Sequence, residues 1–292
     1  MQLLHKIELN NPGPSSPAFD PQGSILAVNS FHQGIVLLDF DTGALLQKID
    51  HGSNYRGAMN FSSTDSTLIS ASDDGVIQLW QCEDTAWRLV KHVKGEAGRI
   101  LSVAMHSDGD TILRVNATTR KVEICSLTAG ELLKTYSFGY AAFHPNQPFV
   151  AIRKRERLVV INYITDEVIF NAYVGDHFSP VAFGNDGKYI VVINDSGEVV
   201  ILDFLTQSRK ILTLRGDYAV KVSVAVNKNI VCGLDETGTI AIWDLNDGKL
   251  KERAYTELYQ PNGLAVSYQG DFLAIGSGPL DNGVIEVWQL GD

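Results

Sequence analysis

The densest cluster of charged side chains in the sequence lies at residues 153–157, where four of five residues are basic. These are Arg153, Lys154, Arg155 and Arg157. Guanidinium groups bind carboxylate and phosphate oxygens through paired hydrogen bonds. The run therefore predicts either an ordinary solvated turn or a local site for an acidic peptide or a phosphate group. It stands out because 24 basic and 34 acidic residues leave the whole chain with a net charge of −10.

Residues that could support catalysis show no comparable grouping. The seven histidines have no HxH or HExxH spacing, and the three cysteines, Cys82, Cys125 and Cys232, form no CxxC pair. The sequence also has no Gly-x-Ser-x-Gly elbow, phosphate loop or dinucleotide fingerprint. We therefore expect a protein that is not an enzyme and that holds no metal and no cofactor. His144, in a Pro/Asn turn, is interpreted as a surface residue.

A repeat determines where these segments lie. Three β-branched runs end in Trp80, Trp243 and Trp288, and each run follows a turn that contains glycine. Weaker copies have, at the position of the tryptophan, Leu38, Cys125, Asn162 and Leu202. The seven anchor positions recur at intervals of 37 to 45 residues, which predicts seven repeated units. Trp87 lies outside this pattern, and it either packs on the edge of a unit or anchors a partner.

Each unit has the signals of four short strands. A first strand ends in a Pro/Asn/Asp/Gly turn, as at residues 18–23, and a second strand follows at residues 24–28. The Trp-anchored run is the third strand, and a more polar run such as residues 44–49 is the fourth. Four strands per repeat of about 42 residues are typical of a propeller blade. The fold is thus predicted to be all-β: a single domain over residues 1–292, folded as a seven-bladed β-propeller of four-stranded antiparallel blades.

At these residues the chain resembles the WD-repeat β-propeller family. The Gly-His dipeptide that usually precedes the first strand in that family is missing from every repeat. We therefore expect the family's buried network of Trp, Asp, Ser/Thr and His to be complete in no blade. The Trp-Asp dipeptide is kept in full or in part at Trp243-Asp244, Trp80-Gln81, Trp288-Gln289, Leu38-Asp39 and Leu202-Asp203.

The two ends of the sequence complement each other. Only four residues follow Trp288, so the last repeat lacks a fourth strand, whereas residues 2–9 form a spare alternating segment before the first repeat. In the family that the sequence resembles, such an N-terminal strand completes the final blade. We predict that residues 2–9 do the same here, because this pairing leaves fewer open strand edges.

The resemblance also implies where a partner binds. In that family the turns between second and third strands and the loops between blades share the narrower rim, where partners commonly bind. Residues 153–157 form such a turn in the fourth repeat, and Arg120 and Lys121 lie in the neighbouring turn of the third. Tyrosine and arginine are enriched in binding hot spots. We therefore expect a rim surface of Arg153, Lys154, Arg155, Arg157, Tyr55, Arg56, Phe178, Tyr218 and Tyr259.

These features predict a non-catalytic scaffold or adaptor that binds a protein or peptide, including an acidic or phosphorylated segment. The protein would act as a monomer or as a subunit of a hetero-complex. Nucleic acid is not expected, because the net charge opposes attraction to phosphates. No signal peptide pattern and no apolar run of about 18 residues is found, which predicts a cytoplasmic protein with no membrane partner. A nuclear location stays open.

Two alternatives also stay open. The first is a propeller hydrolase or lactonase with ligands in the central channel, near Asp176, His177 or Asp217. The second is a structural subunit that is stable only within a larger assembly.

Overall fold

The computed structural model describes residues 1–9, 15–30, 34–50, 58–84, 86–176, 179–184, 187–214, 219–225, 228–278 and 283–291. Within these ranges the chain forms 28 strands, arranged as seven four-stranded antiparallel sheets. In the first six sheets the strands follow chain order from the centre of the ring outward. The prediction of an all-β, seven-bladed propeller is confirmed.

The strands are numbered in chain order and grouped by blade. Blade 1 contains β2 (Ser15–Phe19), β3 (Ile25–Ser30), β4 (Gly34–Asp39) and β5 (Leu45–Ile49). Blade 2 contains β6 (Ala58–Phe61), β7 (Leu68–Ala71), β8 (Val76–Glu83) and β9 (Ala86–Lys94). Blade 3 contains β10 (Ile100–Met105), β11 (Thr111–Asn116), β12 (Lys121–Ser126) and β13 (Leu132–Ser137). Blade 4 contains β14 (Tyr140–Phe143), β15 (Phe149–Lys154), β16 (Arg157–Asn162) and β17 (Val168–Tyr173).

The remaining blades follow the same plan. Blade 5 contains β18 (Ala182–Phe183), β19 (Tyr189–Ile193), β20 (Val199–Asp203) and β21 (Ser208–Leu212). Blade 6 contains β22 (Ala219–Val224), β23 (Ile230–Asp235), β24 (Thr239–Asp244) and β25 (Leu250–Tyr255). Blade 7 contains β26 (Gly263–Val266), β27 (Phe272–Gly276), β28 (Val284–Gln289) and, from the other end of the sequence, β1 (Gln2–Glu8).

The pairing of β1 with β28 closes the ring. The two strands run antiparallel from Leu3 opposite Trp288 to Glu8 opposite Val284. The innermost strands of neighbouring blades contact one another around the whole circle, including β2 with β26. The prediction that the N-terminal segment completes the last blade is confirmed.

Apolar side chains are buried mainly between blades. Each of the seven hydrophobic clusters in the described residues draws its members from two neighbouring blades. Trp243 packs between blades 5 and 6, and Trp80 packs between blades 1 and 2. Trp87 joins the cluster of Trp80 at 4% exposure, with its ring 5.8 Å from that of Phe61. Of the two interpretations of Trp87, packing is correct, and the buried ring offers no anchor for a partner.

Polar side chains close the first turn of several blades. The Asp20 carboxylate accepts the backbone N–H of Ile25 at 2.7 Å in blade 1. In blade 4 the Nδ1 atom of His144 accepts the N–H groups of Asn146 and Gln147, both at 3.1 Å. The interpretation of His144 as a surface residue is wrong, because its ring caps the turn from inside and is only 6% exposed. A Cβ on Gly187 would lie 2.0 Å from Nε2 of His144, so this contact requires glycine.

Two indole groups of the third strands donate hydrogen bonds to polar side chains in the described residues. The Trp80 indole donates to Ser70 Oγ at 3.0 Å, which joins the third strand of blade 2 to its second strand. In blade 7 the Trp288 indole instead donates to the Glu286 carboxylate at 3.1 Å, and Thr256 donates to the same carboxylate at 2.6 Å.

Candidate basic rim

The basic turn of blade 4 is a tight connection between β15 and β16. Lys154 and Arg157 form the last cross-strand pair, so only Arg155 and Glu156 lie at the tip. Arg155 adopts a φ of 48°, which the reversal of the chain requires. The side chains of Arg155 and Arg157 are exposed, whereas Lys154 is half-buried and its pKa is lowered by burial. The turn therefore presents three basic side chains to solvent.

Arg153 is not part of that exposed group, which corrects the sequence-based expectation. It lies on β15, one residue before the last cross-strand pair, and is only 1% exposed. Its guanidinium donates to Ser179 Oγ and to the Gly175 carbonyl, both at 2.9 Å, and also to the Ile193 carbonyl. Burial lowers the pKa of Arg153 to about 10, partly offset by the charges of Asp176 and Asp195. Arg153 thus links blade 4 to blade 5 and is inaccessible to a partner.

The Arg157 side chain bends outward from the turn. Its Nε donates to Oδ1 of Asn171 at 2.8 Å, and Asn171 lies on β17, the outer strand of blade 4. The same register places Arg157 opposite Tyr173, the last residue of β17. The guanidinium of Arg157 therefore stands at the outer edge of the blade, whereas Arg155 stands at the tip of the turn.

Blade 3 contributes two further cations beside the same turn. The Arg120 guanidinium lies 5.8 Å from the centre of the Phe138 ring, and Phe138 leads into blade 4. Arg99 precedes β10, and its charge acts on the buried hydroxyl of Tyr140, whose pKa is raised by burial. A Cβ on Gly139 would lie 2.2 Å from the carbonyl oxygen of Arg153, so the connection between the two blades lies against the end of β15.

We call the exposed or half-exposed cations of these two blades that form no ion pair with a described residue the blade 3–4 basic rim: Arg99, Arg120, Lys154, Arg155 and Arg157. None of the five forms an ion pair with a described residue. Lys121 differs, because its ammonium lies 2.7 Å from the Glu96 carboxylate, and this contact raises the pKa of Lys121. The sequence-based expectation missed Arg99. Its place directly before the first strand of a repeat is the signal that could have found it.

Of the other expected rim residues, only Tyr259 lies within the described ranges. Tyr259 is 56% exposed, but it lies in the connection between blades 6 and 7, on another part of the ring. Tyr55, Arg56, Phe178 and Tyr218 lie outside the described residues, as do His177 and Asp217.

A buried ion pair joins the second and third strands of blade 3 and connects them to blade 2. Arg114 on β11 and Glu123 on β12 are almost completely buried, and Nε of Arg114 donates to the Glu123 carboxylate at 2.8 Å. Nη1 of Arg114 also donates to the Gly75 carbonyl at 3.1 Å, in a turn of blade 2. Breaking such a pair costs about 3–5 kcal/mol, because one buried charge is left without a partner. These two residues therefore hold the turns of blades 2 and 3 in place.

The central channel contains a cavity of about 500 Å³ beside blades 2 to 5. Its wall is mainly apolar, with Leu101, Val103, Tyr140, Phe143 and Phe183 among the lining side chains. His106 and His144 also lie against it, but both rings are buried and hydrogen-bonded within turns. The described residues contain no group of three or more His, Cys, Asp or Glu that could hold a metal ion.

The chain was compared with known proteins and protein families. Residues 45–81 match a family model described as WD domain, G-beta repeat. This segment runs from the outer strand of blade 1 to the Trp80 strand of blade 2. No curated protein matches the chain. Over the described ranges, no helix has the length and hydropathy needed to cross a membrane. The matched repeat and the seven four-stranded blades together support the WD-repeat propeller family for this chain.

Proposed function

We propose that the protein is a non-catalytic adaptor whose blade 3–4 basic rim binds an acidic segment of a partner protein. The observation that carries this proposal is the presence of five cations, without ion-pair partners in the described residues, on two adjacent blades of a chain with net charge −10. The WD-repeat propeller fold is commonly a protein-interaction scaffold, which supports the same function.

The geometry favours a carboxylate-bearing or phosphorylated peptide. Arg155 and Arg157 are exposed at the tip and at the outer side of one turn, so a single extended segment can contact both. Arg120 is already held over the Phe138 ring, which reduces the side-chain entropy that binding would cost. Charge-assisted hydrogen bonds from arginine to carboxylate or phosphate are about twice as strong as neutral ones.

Charge reversal tests this function. Wild type and Arg155→Glu/Arg157→Glu are used as baits, and captured proteins are quantified at low and at high salt. We expect the variant to lose those proteins whose capture by the wild type is salt-sensitive. Arg88→Glu/Lys94→Glu is the matched control, since it makes the same charge change at exposed residues of blade 2 that form no ion pair with a described residue. Equal capture by all three proteins at both salt concentrations would show that the rim does not bind a partner.

A further inference from the structure

The outermost strands of the seven blades differ in charge from the rest of the chain. They contain ten lysine and arginine residues but only two glutamates, although acidic residues outnumber basic ones by 34 to 24 overall. Each outermost strand has one unpaired edge, and lysines on such edges prevent pairing with another chain. The basic residues of these strands are Lys6, Lys48, Arg88, Lys91, Lys94, Lys134, Arg209, Lys210, Lys251 and Arg253.

One outer strand has no such protection. Among the seven outer strands, β17 of blade 4 alone has no charged residue, and its sequence is Val-Ile-Phe-Asn-Ala-Tyr. Val168 and Tyr173 are each 55% exposed. A register irregularity lies near the beginning of the strand, opposite Val160 and Ile161, so the segment from Phe170 to Tyr173 pairs regularly. A regular and uncharged edge is a template for pairing with another strand.

The hydrogen-bonding groups available on this edge follow from the register. The N–H of Val174 donates to the Glu156 carbonyl at 2.7 Å, so the backbone of Val174 faces the neighbouring strand. Successive residues of a strand alternate in direction, and therefore Ala172 and Phe170 also face β16, whereas Asn171 and Tyr173 face outward. No described residue bonds to the outward N–H and C=O groups of Asn171 and Tyr173. The edge thus offers two donors and two acceptors.

We propose that the outer edge of β17 is the docking site for an extended segment of a partner protein, which adds to blade 4 as a fifth strand. The segment runs antiparallel to β17, and its acidic N-terminal end lies beside Arg157. The acidic end rests on the function proposed above, whereas the docking edge rests on the backbone of β17. Charge complementarity identifies the occupant. The Arg157 guanidinium is bonded to Asn171 of β17, so a strand added to this edge meets a positive charge, which an acidic residue of the partner segment would complement. In an antiparallel pair with a second copy of this chain, Asp166 and Glu167, which precede β17, would lie at the end near Arg157. Asp166 is already bonded to Lys134 and Tyr136 of blade 3, so a second copy would leave only Glu167 for Arg157, and the dimer is an outcome of the test below.

A labelled peptide tests the docking edge. The probe consists of two aspartates followed by alternating valine and threonine, and its binding is measured by fluorescence anisotropy. Tyr173→Pro removes one outward N–H and no bond to β16, so we expect the blade to fold and the affinity to fall about tenfold or more. Ser137→Pro is the matched control, since Ser137 occupies on β13 the register position of Tyr173 on β17. It is expected to leave the affinity unchanged.

Two modified probes keep the proposal testable if Tyr173→Pro does not fold. Each probe is methylated on alternate backbone nitrogens, which removes those N–H donors. One peptide is methylated at the odd positions and the other at the even positions. An added strand bonds through only one set of N–H groups, so one probe should lose binding and the other should keep it. Equal binding of both probes, or equal loss, would overturn strand addition.

Further outcomes separate this inference from the proposed function. If Arg155→Glu/Arg157→Glu abolishes binding while Tyr173→Pro and both N-methylated probes bind normally, the docking edge is wrong and the rim function stands. If charge reversal has no effect while Tyr173→Pro weakens binding, the docking edge stands and the rim function fails. A dimer in light scattering that Tyr173→Pro converts to a monomer would overturn the partner segment in favour of a second copy.

Discussion

Arg153 joins two blades through several hydrogen bonds made by one planar group. Its donors reach Ser179, Gly175 and Ile193, all on the side of blade 5. Gly175 has a φ of 83°, and a Cβ there would lie 2.6 Å from the Asp195 carboxylate. Glycine therefore allows the backbone to present its carbonyl to the arginine. The guanidinium supplies five donors in a fixed plane, which an ammonium group cannot reproduce.

We expect Arg153→Met to lower the free energy of unfolding by about 3 kcal/mol, because buried carbonyl and hydroxyl groups lose their donors. Urea denaturation followed by far-UV circular dichroism measures this. Arg153→Lys should give an intermediate loss. Arg155→Met, two residues away and exposed, is the control and should change stability by less than about 0.5 kcal/mol. If the Arg153→Met variant were as stable as the wild type, Arg153 would not be a link between blades.

The basic run shows what residue types alone could and could not predict. Composition and repeat position correctly placed a turn at residues 153–157, and the structure exposes Arg155 and Arg157. They could not show that the turn has only two residues at its tip, which leaves Arg153 on the strand. A difference of one residue in turn length moves a side chain from one face of a sheet to the other. The function of these residues in binding stays a prediction.

At the scale of elements, β1 closes the ring. Six of its seven residues pair with β28, with a register irregularity at Leu4, and Ile7 packs against the cluster between blades 7 and 1. Without β1, the apolar edge of β28 and part of that cluster would be exposed to water. Since every blade depends on both neighbours for its buried surface, loss at this one closure affects the entire ring.

We therefore expect deletion of residues 1–9 to lower the melting temperature of the whole protein by about 5 °C or more. Differential scanning calorimetry on the full chain and the truncation measures this. A variant with Leu3→Ser/Leu4→Ser is the control, since both side chains are exposed while the backbone pairing of β1 is kept. An unchanged melting temperature in the truncated protein would show that β1 does not hold the ring closed.

Strand positions could largely be predicted because turn residues and β-branched runs recur with the repeat. The anchors at Cys125 and Asn162 were placed by spacing alone, and both lie in or at the end of third strands. Contacts between blades could not be predicted in the same way. The Gln47 side chain bonds both the N–H and the C=O of Trp87 at 2.8 Å, which joins the outer strands of blades 1 and 2. Such a bond depends on the distance between blades, which local sequence patterns do not predict.

At the scale of the whole molecule, basic residues predominate on the outer strands, whereas aspartates occupy several of the turns. Several turns around the ring are closed by aspartates that accept hydrogen bonds, and this lowers their pKa. Thr42 lowers the pKa of Asp39 in blade 1, Thr128 and Ser126 lower that of Asp110 in blade 3, and Lys249 lowers that of Asp247 in blade 6. Stability against acid is therefore a property of the ring rather than of one blade.

The sign of the pH dependence follows from these shifts. Each aspartate has a folded pKa below its unfolded value of 3.8. As the pH falls through 3.8, the unfolded chain therefore binds more protons than the folded chain, and the folded state loses stability. We expect the melting temperature to be nearly constant from about pH 7 to pH 5 and to fall steeply below about pH 4.

Asp39→Asn/Asp110→Asn should lower the melting temperature at neutral pH by about 2 °C and make the acid decrease shallower. Asp41→Asn/Asp84→Asn is the control, since neither carboxylate accepts a hydrogen bond from a described residue. If both double variants showed the wild-type profile, turn carboxylates would not be the source of the acid sensitivity.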